Sequence, residues 1–386
     1  MKKLIAFVLV LVLVFAVSAC GSAPAAPAAQ ETPAVQEVPT AQETPAAPPV
    51  AEPAKEVVRT ETTFTAAELE GKVKILGRAY FDEKGLRCDW AASGFEFTVN
   101  CEGTLSFETS TNGSSYRYTV FFDGVEEERQ ISLEGDKMRV AKKDIPAGEH
   151  TIRIARNSDN YEGKYSYFRS MTLTCDPGSL AATPDSELFI EYIGDSITAG
   201  GGVLGDPQTA WSSACNAATR TYAYVSADLL HADYSMVAKG GIGAVKGNVL
   251  SKELYGTAIP FDQTTVYEYT RHPDIIVLAL GANDSLKSNS EKFIENMTEY
   301  AGILRGMHPD AKLVIAYSFM SNNYPGTYEQ LWEKLGGEEN GVFLFEGTVG
   351  AHGVPAKAEG TPHPNSEDHR VNGEKLAEFI RTKIVK

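Results

Sequence analysis

The sequence predicts a mixed α/β protein in which an all-β sandwich precedes a doubly wound α/β domain. Two observations support this prediction. Between about Val73 and Cys175 apolar residues alternate with polar ones in short runs, which is typical of antiparallel strands. Beyond that region short apolar runs alternate with longer helical patterns, as in a sheet covered by helices on both faces. We expect the domains to span residues 61–180 and 181–386.

The first 20 residues have the layout of a signal peptide. Lys2 and Lys3 precede an apolar run from Leu4 to Val17, which is too short to span a membrane comfortably. The run ends in Val-Ser-Ala-Cys, which resembles a bacterial lipobox, so we expect cleavage before Cys20 and lipidation of its thiol. That would place the protein at the bacterial cell surface or in the periplasm as a lipid-anchored membrane lipoprotein. Ordinary secretion is the alternative.

A stalk is predicted between this leader and the first domain. Residues 21–60 are rich in Ala, Pro, Glu, Gln and Thr and contain few large apolar side chains until their end. Such a composition cannot bury enough surface to fold. We therefore expect a disordered spacer between the anchor and the folded domains.

The predicted sandwich is jelly-roll-like and depends on period-two runs separated by turn signals. Apolar side chains alternate at Phe95, Phe97 and Val99, at Leu105 and Phe107, at Tyr118, Val120 and Phe122, and at Ile152 and Ile154. Tight turns are predicted at Asn112-Gly113, Asp123-Gly124 and Ala147-Gly148.

The second domain is predicted to have a flavodoxin-like arrangement. Helices are expected over 218–230, 291–307, 328–335 and 367–384, and strands near Ile190, Met236, Val277, Val314 and Phe343. In a flavodoxin-like strand order the first and third strands flank the topological switch point, where ligands bind.

Three short segments hold the parts of an acyl-transfer site. Ser196 follows the first buried strand in Gly194-Asp195-Ser196, Asn283 follows a later strand in Gly281-Ala282-Asn283-Asp284, and His363 lies in a late His-Pro-Asn. Ester hydrolysis by a serine needs a nucleophile, a base beside it and fixed N–H donors for the oxyanion. This chemistry requires no metal and no cofactor.

These segments resemble those of the SGNH (GDSL-type) hydrolases, and the chain from about Val73 is similar to carbohydrate esterase family 2. Members of that family are acetyl esterases of plant polysaccharides with a β-sandwich ahead of the hydrolase. The resemblance implies that Ser196 is the nucleophile and His363 the base. Ser196 N–H, the Asn283 amide and a glycine N–H would form the oxyanion hole. Gly241 is our choice for that glycine, with Gly240 left open.

The orienting acid departs from the superfamily pattern. An aspartate usually lies two or three residues before the histidine, but Gly360 and Thr361 occupy these positions. We therefore expect a Ser-His dyad, with Glu359 as the fallback acid and His352 as the rival base. Trp211, Tyr222 and Trp332 are candidate sugar-stacking residues, and a core role is the alternative for each.

Charge and cysteine content limit the partners. The net charge is −16, from 51 acidic and 35 basic residues, which argues against nucleic acid binding and is compatible with neutral glycans. With Cys20 assigned to lipid, Cys88, Cys101, Cys175 and Cys215 have three possible pairings. Cys88 with Cys101 is the most economical pair, and free thiols are equally compatible.

The sequence thus predicts an exported serine esterase that removes O-acetyl groups from polysaccharides or oligosaccharides, of the acetyl xylan or mannan esterase type. A lipase or thioesterase of the same superfamily is the first alternative. A non-catalytic glycan-binding lipoprotein is the second.

Overall fold

Two sheets, one antiparallel and one parallel, form the framework of the protein in its computed structural model. The structure describes residues 57–113, 116–128, 130–159, 164–247, 249–260, 262–320, 324–353 and 362–385. The predicted signal peptide, Cys20, most of the predicted stalk and Glu359 lie outside these residues. Within the described ranges, no helix is long and apolar enough to cross a membrane.

The antiparallel sheet accounts for the predicted sandwich. Its strands are β1 (Thr60–Thr65), β2 (Lys74–Leu76), β3 (Ala79–Asp82), β4 (Gly85–Cys88), β5 (Gly94–Thr111), β6 (Tyr116–Phe122), β7 (Val125–Glu126), β8 (Ile131–Leu133), β9 (Lys137–Arg156), β10 (Ser166–Cys175) and β11 (Ala181–Ala182), with a short helix α1 (Ala66–Leu69) after β1. The main path is β3-β4-β10-β5-β9-β6-β7, with β1 paired to β10, β2 and β11 to β5, and β8 to β6.

The long strands β5 and β9 enclose an aromatic core. Phe95, Phe97 and Phe107 of β5 are fully buried, as the alternation predicted. Phe168 of β10 packs edge-on against Phe95 and Phe107, with ring centroids 5.0 and 5.2 Å apart. Such pairs add about 0.5–1.5 kcal/mol each beyond the area they bury. The core of this sheet is therefore largely built from the side chains that the period-two pattern identified.

One of the predicted turns is wrong. Asp123 and Gly124 both have positive φ, 49° and 79°, as a type I′ hairpin turn between β6 and β7 requires. Ala147 and Gly148 instead lie inside β9. The β5–β9 register shifts between Cys101 and Gly103 of β5, so the small residues accommodate a bulge in a bent strand rather than a chain reversal.

The parallel sheet forms the second domain. Its elements are β12 (Phe189–Gly194), α2 (Tyr222–Leu229), β13 (Asp233–Ala238), α3 (Ser251–Leu254), β14 (Thr257–Ile259), β15 (Asp262–Val266), β16 (Ile275–Ala279), α4 (Leu286–Met307), β17 (Lys312–Tyr317), α5 (Pro325–Lys334), β18 (Val342–Glu346) and α6 (Ser366–Lys383). The order β13-β12-β16-β17-β18, with every pair parallel, confirms the flavodoxin-like prediction. Strands β14 and β15 form a separate hairpin.

Alternate residues of the parallel strands face opposite layers of helices. Ile190 and Val277 pack with Tyr222 of α2 and Leu376 of α6 on one face. Ile193, Ile276 and Leu278 pack with Phe293 and Leu304 of α4 and Leu331 of α5 on the other. The sheet is thus buried on both sides, which explains why its strands are nearly continuous apolar runs.

The predicted helices are present, with shifted ends. The segment predicted as 218–230 begins with a 3₁₀ turn at Ala218–Arg220, and α2 begins only at Tyr222. Thr221 separates the two because its side chain accepts a hydrogen bond from Tyr224 N and caps α2. Helices α4 and α5 begin 5 and 3 residues before their predicted starts, at Leu286 and Pro325.

The antiparallel sheet packs against the edge strand of the parallel one. Gly77, between β2 and β3, donates its N–H to the carbonyl of Tyr234 on β13, at 3.2 Å. The Tyr234 hydroxyl in turn donates to the carbonyl of Ala92, at 3.0 Å. An otherwise open strand edge is thereby covered.

A buried ion pair crosses the same junction. The fully buried Arg78 donates through Nη2 to Oε1 of Glu191, on β12, at 3.1 Å, and to the hydroxyl of Tyr269 at 2.9 Å. Glu191 also accepts from the hydroxyls of Ser235 and Tyr255. Burial of a charge pair is tolerated where further hydrogen bonds satisfy most of its polar atoms. Both terminal nitrogens of Arg78 are satisfied in this way, whereas its Nε has no hydrogen-bond partner among the described residues.

The four described cysteines are free and buried. The economical pairing of Cys88 with Cys101 is therefore absent, and the alternative of free thiols applies. Cys101 on β5 faces Cys175 on β10, whereas Cys88 on β4 faces Ala79, so strand register separates the two members of the expected pair.

Candidate active site

Ser196 lies in a tight turn at the carboxyl end of β12. A Cβ on Gly194 would lie 2.0 Å from Oγ1 of Thr198, so the turn can only form with a glycine at this position. The Ser196 carbonyl accepts from Gly201 N at 2.7 Å, which closes the turn. Every residue from 190 to 203 other than Ser196 is buried. The turn thus presents a single partly accessible hydroxyl at the edge where ligands bind.

His363 lies beside this hydroxyl. Its Nε2 is 2.8 Å from Oγ of Ser196, and its side chain is buried. Asn365 caps α6 by accepting hydrogen bonds from the N–H groups of Glu367 and Asp368, both at 3.0 Å. The His-Pro-Asn segment therefore combines a base with the cap that fixes its position. The structure brings together the predicted nucleophile and base.

The rival base is occupied elsewhere. His352 is exposed, and its Nδ1 lies 2.7 Å from Oδ1 of Asp368. Its backbone N–H also donates to the same carboxylate, at 3.2 Å. His352 therefore fastens its loop to the start of α6 and does not face Ser196.

Whether the site is a dyad or a triad depends on which group accepts a hydrogen bond from Nδ1, the other ring nitrogen of His363. Because Nε2 faces the serine, an orienting acceptor would have to hold Nδ1. Glu359, the fallback acid, lies outside the described residues. The choice between a dyad and a triad completed by Glu359 therefore stays a prediction.

Asn283 and the glycine segment lie together. One N–H of the Asn283 amide donates to the Ile242 carbonyl at 2.8 Å, and an amide nitrogen carries a second hydrogen. A Cβ on Gly240 would lie 3.8 Å from Cβ of Ser196, whereas one on Gly241 would meet no atom within 4 Å. Gly240 thus packs against the nucleophile, and Gly241 follows with a φ of 78°. Which glycine donates to the oxyanion stays a prediction.

Asp284 fixes the loop that carries these glycines. Its carboxylate accepts hydrogen bonds from the N–H groups of Ala244, Val245 and Lys246, at 3.1, 2.6 and 3.0 Å. A side chain on Gly243 would clash with it, since a Cβ there would lie 2.4 Å from Oδ1. Asp284 is therefore a structural anchor and not a second catalytic acid.

Asp195 is a buried carboxyl directly before the nucleophile. Burial raises its pKa to about 7, and the nearby Asp284 carboxylate adds to this effect, while a hydrogen bond from Ile197 N opposes it. Its side chain points into the protein interior. Its role is to shape the turn, as expected for a residue that precedes a strand-end serine.

The three candidate sugar-stacking residues have different surroundings. Trp211 lies at the site, with its ring centroid 5.5 Å from that of His363 and its side chain partly exposed. A Cβ on Gly201 would lie 2.9 Å from Cη2 of Trp211 and 3.4 Å from Cβ of Ser196. Trp211 therefore forms a wall beside the nucleophile.

For Tyr222 and Trp332 the alternative applies, since both pack within the fold and away from Ser196. Tyr222 is fully buried, where its hydroxyl bonds to Oγ1 of Thr198 and its ring stacks on Phe319. Nε1 of Trp332 donates to the carbonyl of Val342, the first residue of β18. The strands are parallel, so this tryptophan lies at the amino edge of the sheet, opposite the edge that holds Ser196.

One residue at the site was missed by the sequence reasoning. Asp159, which follows β9 of the antiparallel sheet, has its Oδ2 2.9 Å from the position of a Cβ on Gly240. It therefore lies against the same glycine that touches Ser196. The sequence carried no signal for it, because Asp159 lies in the first domain, far from every catalytic motif.

The described residues contain no group of three or more His, Cys, Asp or Glu side chains that could hold a metal ion. The arrangement offers instead a hydroxyl, an imidazole within hydrogen-bonding distance and amide donors at the carboxyl edge of a sheet. These are the functional groups that nucleophilic acyl transfer requires.

Comparisons with known proteins identify the N-terminal domain and the fold. Residues 75–184 match the model of the carbohydrate esterase 2 N-terminal domain. No curated protein sequence matches the chain significantly.

Among solved structures, a family two carbohydrate esterase from Cellvibrio japonicus has a TM-score of 0.72 and 19% identity, and the match covers 84% of this chain and 98% of that one. One from Clostridium thermocellum, in complex with cellohexaose, has a TM-score of 0.70 and 20% identity, over 81% and 99% of the two chains. An acetyl xylan esterase from the rumen bacterium Butyrivibrio proteoclasticus has a TM-score of 0.71 and 18% identity, over 84% and 98%. At these identities the likeness is one of fold.

Fold and family model indicate a carboxylic ester hydrolase, and the contact between Ser196 and His363 is the one that a serine nucleophile needs. The resemblance to carbohydrate esterase family 2 that the sequence predicted is confirmed, for the N-terminal domain by the family model and for the fold as a whole by the solved structures.

Proposed function

We propose that this protein is an exported serine esterase that removes O-acetyl groups from carbohydrate hydroxyls. The observation that carries the proposal is the 2.8 Å contact between Oγ of Ser196 and Nε2 of His363 in a chain with the fold of family two carbohydrate esterases. A hydroxyl beside an imidazole is activated for attack on an ester carbonyl.

The proposed reaction has two steps. Oγ of Ser196 attacks the acetyl carbonyl while Nε2 of His363 takes the hydroxyl proton, and the sugar oxygen then leaves with that proton. Water, deprotonated by the same nitrogen, attacks the acetyl-enzyme. The bond between the acetyl carbon and Oγ of Ser196 breaks, acetate leaves, and His363 returns the proton to Oγ. Ser196 N–H, the free amide N–H of Asn283 and Gly241 or Gly240 N–H would stabilise each tetrahedral oxyanion.

A carbohydrate leaving group is favoured by the surroundings of the serine. Trp211 offers a partly exposed indole next to the Ser196–His363 pair, and aromatic faces pack well against the apolar faces of sugar rings. A structural relative was solved with cellohexaose bound, and another is named an acetyl xylan esterase. These observations support acetylated glycans as substrates over lipids.

Acyl chain length tests this proposal against the lipase or thioesterase alternative. We expect kcat/KM for 4-nitrophenyl esters to be highest for acetyl and to fall for octanoyl. An acyl tunnel would gain about 0.8 kcal/mol for each methylene that it buries, so a steady rise of kcat/KM with chain length would contradict the proposal. Ser196→Ala serves as the control that assigns the activity to this site.

The export and lipid anchor form a separate part of the proposal. Support comes from the leader sequence and its cysteine, Cys20, followed by a long polar spacer. Cys20→Ser should release the full-length protein from bacterial membranes without changing its kcat/KM, because the spacer separates anchor and catalyst. Membrane retention of the variant would contradict the anchor and leave the esterase assignment intact.

A non-catalytic glycan-binding protein is the remaining alternative. A folded wild-type protein that binds xylan oligosaccharides but shows no Ser196-dependent turnover of 4-nitrophenyl acetate would favour it.

A further inference from the structure

Asp159 brings a carboxylate from the antiparallel sheet to the nucleophile on the parallel sheet. Both residues lie beside Gly240, since a Cβ there would lie 2.9 Å from Oδ2 of Asp159 and 3.8 Å from Cβ of Ser196. A side chain at residue 240 would therefore displace the Asp159 carboxylate. The glycine thus permits a close approach between a first-domain carboxylate and the catalytic serine.

The position of Asp159 is fixed from the side of its own sheet. The fully buried guanidinium of Arg156 donates to the carbonyl oxygens of Ser158 and Asp159, at 3.0 and 3.1 Å. The same group donates to the carbonyl of Cys88 and the hydroxyl of Ser166. This buried arginine therefore holds the backbone carbonyl of Asp159 in place.

The same loop is also tied to the hydrolase domain. Oδ1 of Asn157 accepts hydrogen bonds from the N–H and the hydroxyl of Thr219, at 2.9 and 2.8 Å. The backbone carbonyl of Asn157 accepts a hydrogen bond from the N–H of Ala218. Arg117 of β6 donates to the carbonyls of Ser213 and Asn216. These contacts join the Asp159 loop to the segment that also carries Trp211, so the two domains form the walls of the site together.

A carboxylate at this place has an electrostatic cost. Negative charge develops on the oxyanion during acyl transfer, and a nearby like charge opposes it. A carboxylate that accepts hydrogen bonds from the substrate reduces this cost. A carboxylate accepts hydrogen bonds only, and these are strong because the acceptor is charged. A sugar supplies several hydroxyl donors next to its ester, whereas a simple alcohol or a lipid does not.

We propose that Asp159 is a specificity-determining residue that accepts hydrogen bonds from free hydroxyls of the sugar carrying the scissile ester, while Trp211 packs against the sugar ring. The proposal rests on the function proposed above and adds the group that distinguishes a polyhydroxylated leaving group from other alcohols. It also gives the N-terminal domain a part in substrate recognition.

The test compares two substrates in the same enzyme. The selectivity ratio is kcat/KM for an acetylated xylo-oligosaccharide divided by kcat/KM for 4-nitrophenyl acetate, whose leaving group has no further hydroxyl. Asp159→Ala should lower this ratio about 10- to 100-fold, as loss of a hydrogen bond to a charged acceptor does. Asp159→Asn keeps one acceptor oxygen, so its selectivity ratio should lie between those of Asp159→Ala and the wild type.

A control variant distinguishes recognition by Asp159 from a general effect of removing a carboxylate from this domain. Glu83→Gln removes an exposed carboxylate from the β3–β4 turn of the same domain and should leave the ratio unchanged. A parallel fall of kcat/KM on both substrates in Asp159→Ala, or an unchanged ratio, would overturn the proposal.

Binding provides a readout that does not need turnover. In a Ser196→Ala background, titration calorimetry with a neutral xylo-oligosaccharide should show about 10-fold or greater weakening when Asp159→Ala is added. If the wild type releases no acetate from glycans, the proposed deacetylase function is contradicted, and this binding experiment still tests the role of Asp159. Equal affinity with and without Asp159 would then overturn the role of Asp159 as well.

Discussion

Arg78, in the connection between β2 and β3, and Glu191 of β12 form an ion pair with 0% and 2% of their side chains exposed. Glu191 lies on β12, five residues before the nucleophile, which lies in the turn after that strand. The cation of one domain is thus buried beneath the strand that positions Ser196 in the other.

Removal of Arg78 should destabilise the whole protein. Arg78→Met would leave the Glu191 carboxylate buried without its cation, and breaking a buried pair in this way typically costs about 3–5 kcal/mol. The free energy of unfolding in urea measures this loss. Arg370→Met, which breaks two exposed pairs on α6, is the matched control and should change the free energy of unfolding little, because exposed ion pairs contribute little to stability. Similar losses for the two variants would show that the Arg78 pair adds no special stability.

Asn283 should contribute to turnover rather than to affinity. Asn283→Ala removes a proposed oxyanion donor and should lower kcat by about 10²–10³ with little change in KM. Asn283→Asp, which keeps the shape but loses the N–H groups, should lose at least as much. An effect confined to KM in steady-state kinetics on 4-nitrophenyl acetate would mean that Asn283 binds the substrate instead.

The effect of replacing Glu359 distinguishes a Ser-His dyad from a triad completed by that carboxylate. If His363 works without a carboxylate partner, Glu359→Gln should change kcat less than about 10-fold, while His363→Ala should be as damaging as Ser196→Ala. Removal of a triad acid costs about 10⁴ in kcat. A loss of that size in Glu359→Gln would establish a triad with a displaced acid.

Asp195 should make stability depend on pH in an identifiable direction. Its folded-state pKa of about 7 lies above the ordinary value of 3.8, so the folded protein holds this proton more tightly than the unfolded chain. Stability from this group is therefore highest below about pH 4 and is lost as pH rises toward 7. The loss is on the order of 4 kcal/mol at most.

Asp195→Asn should remove that dependence, since an amide cannot ionise and its oxygen can still accept from Ile197 N. The free energy of unfolding of the variant minus that of the wild type should grow between pH 4 and pH 7. Asp310→Asn, at an exposed position, should give a flat difference. A flat difference for Asp195→Asn too would mean that this carboxyl titrates normally in the fold.

The fold could be predicted from the sequence because its signals are local. Apolar alternation at Phe95, Phe97 and Val99 and the buried runs of β12 and β16 report which faces are covered, and the strand order follows from a common topology. Ala147-Gly148 was misassigned because a glycine-containing pair is equally suited to a turn and to a bulge. Only the register with β5 distinguishes the two.

The site could be predicted where a residue lies at a strand end or in a motif, as Ser196, Asn283 and His363 do. Trp211 was identified by residue type, but so were Tyr222 and Trp332, and residue type does not report which edge of the sheet a side chain reaches. Asp159 could not be predicted at all, because its place at the site is created by the packing of one domain on another.

The most direct test of the central claim is acetate release from acetylated xylan by the purified wild-type protein and by Ser196→Ala, with folding of both verified by circular dichroism. Wild type should release acetate at a rate that scales with enzyme concentration, and Ser196→Ala should release none above the uncatalysed background. Comparable acetate release by the two proteins, or none from a wild type that hydrolyses long-chain esters, would contradict the assignment of this site as a carbohydrate deacetylase.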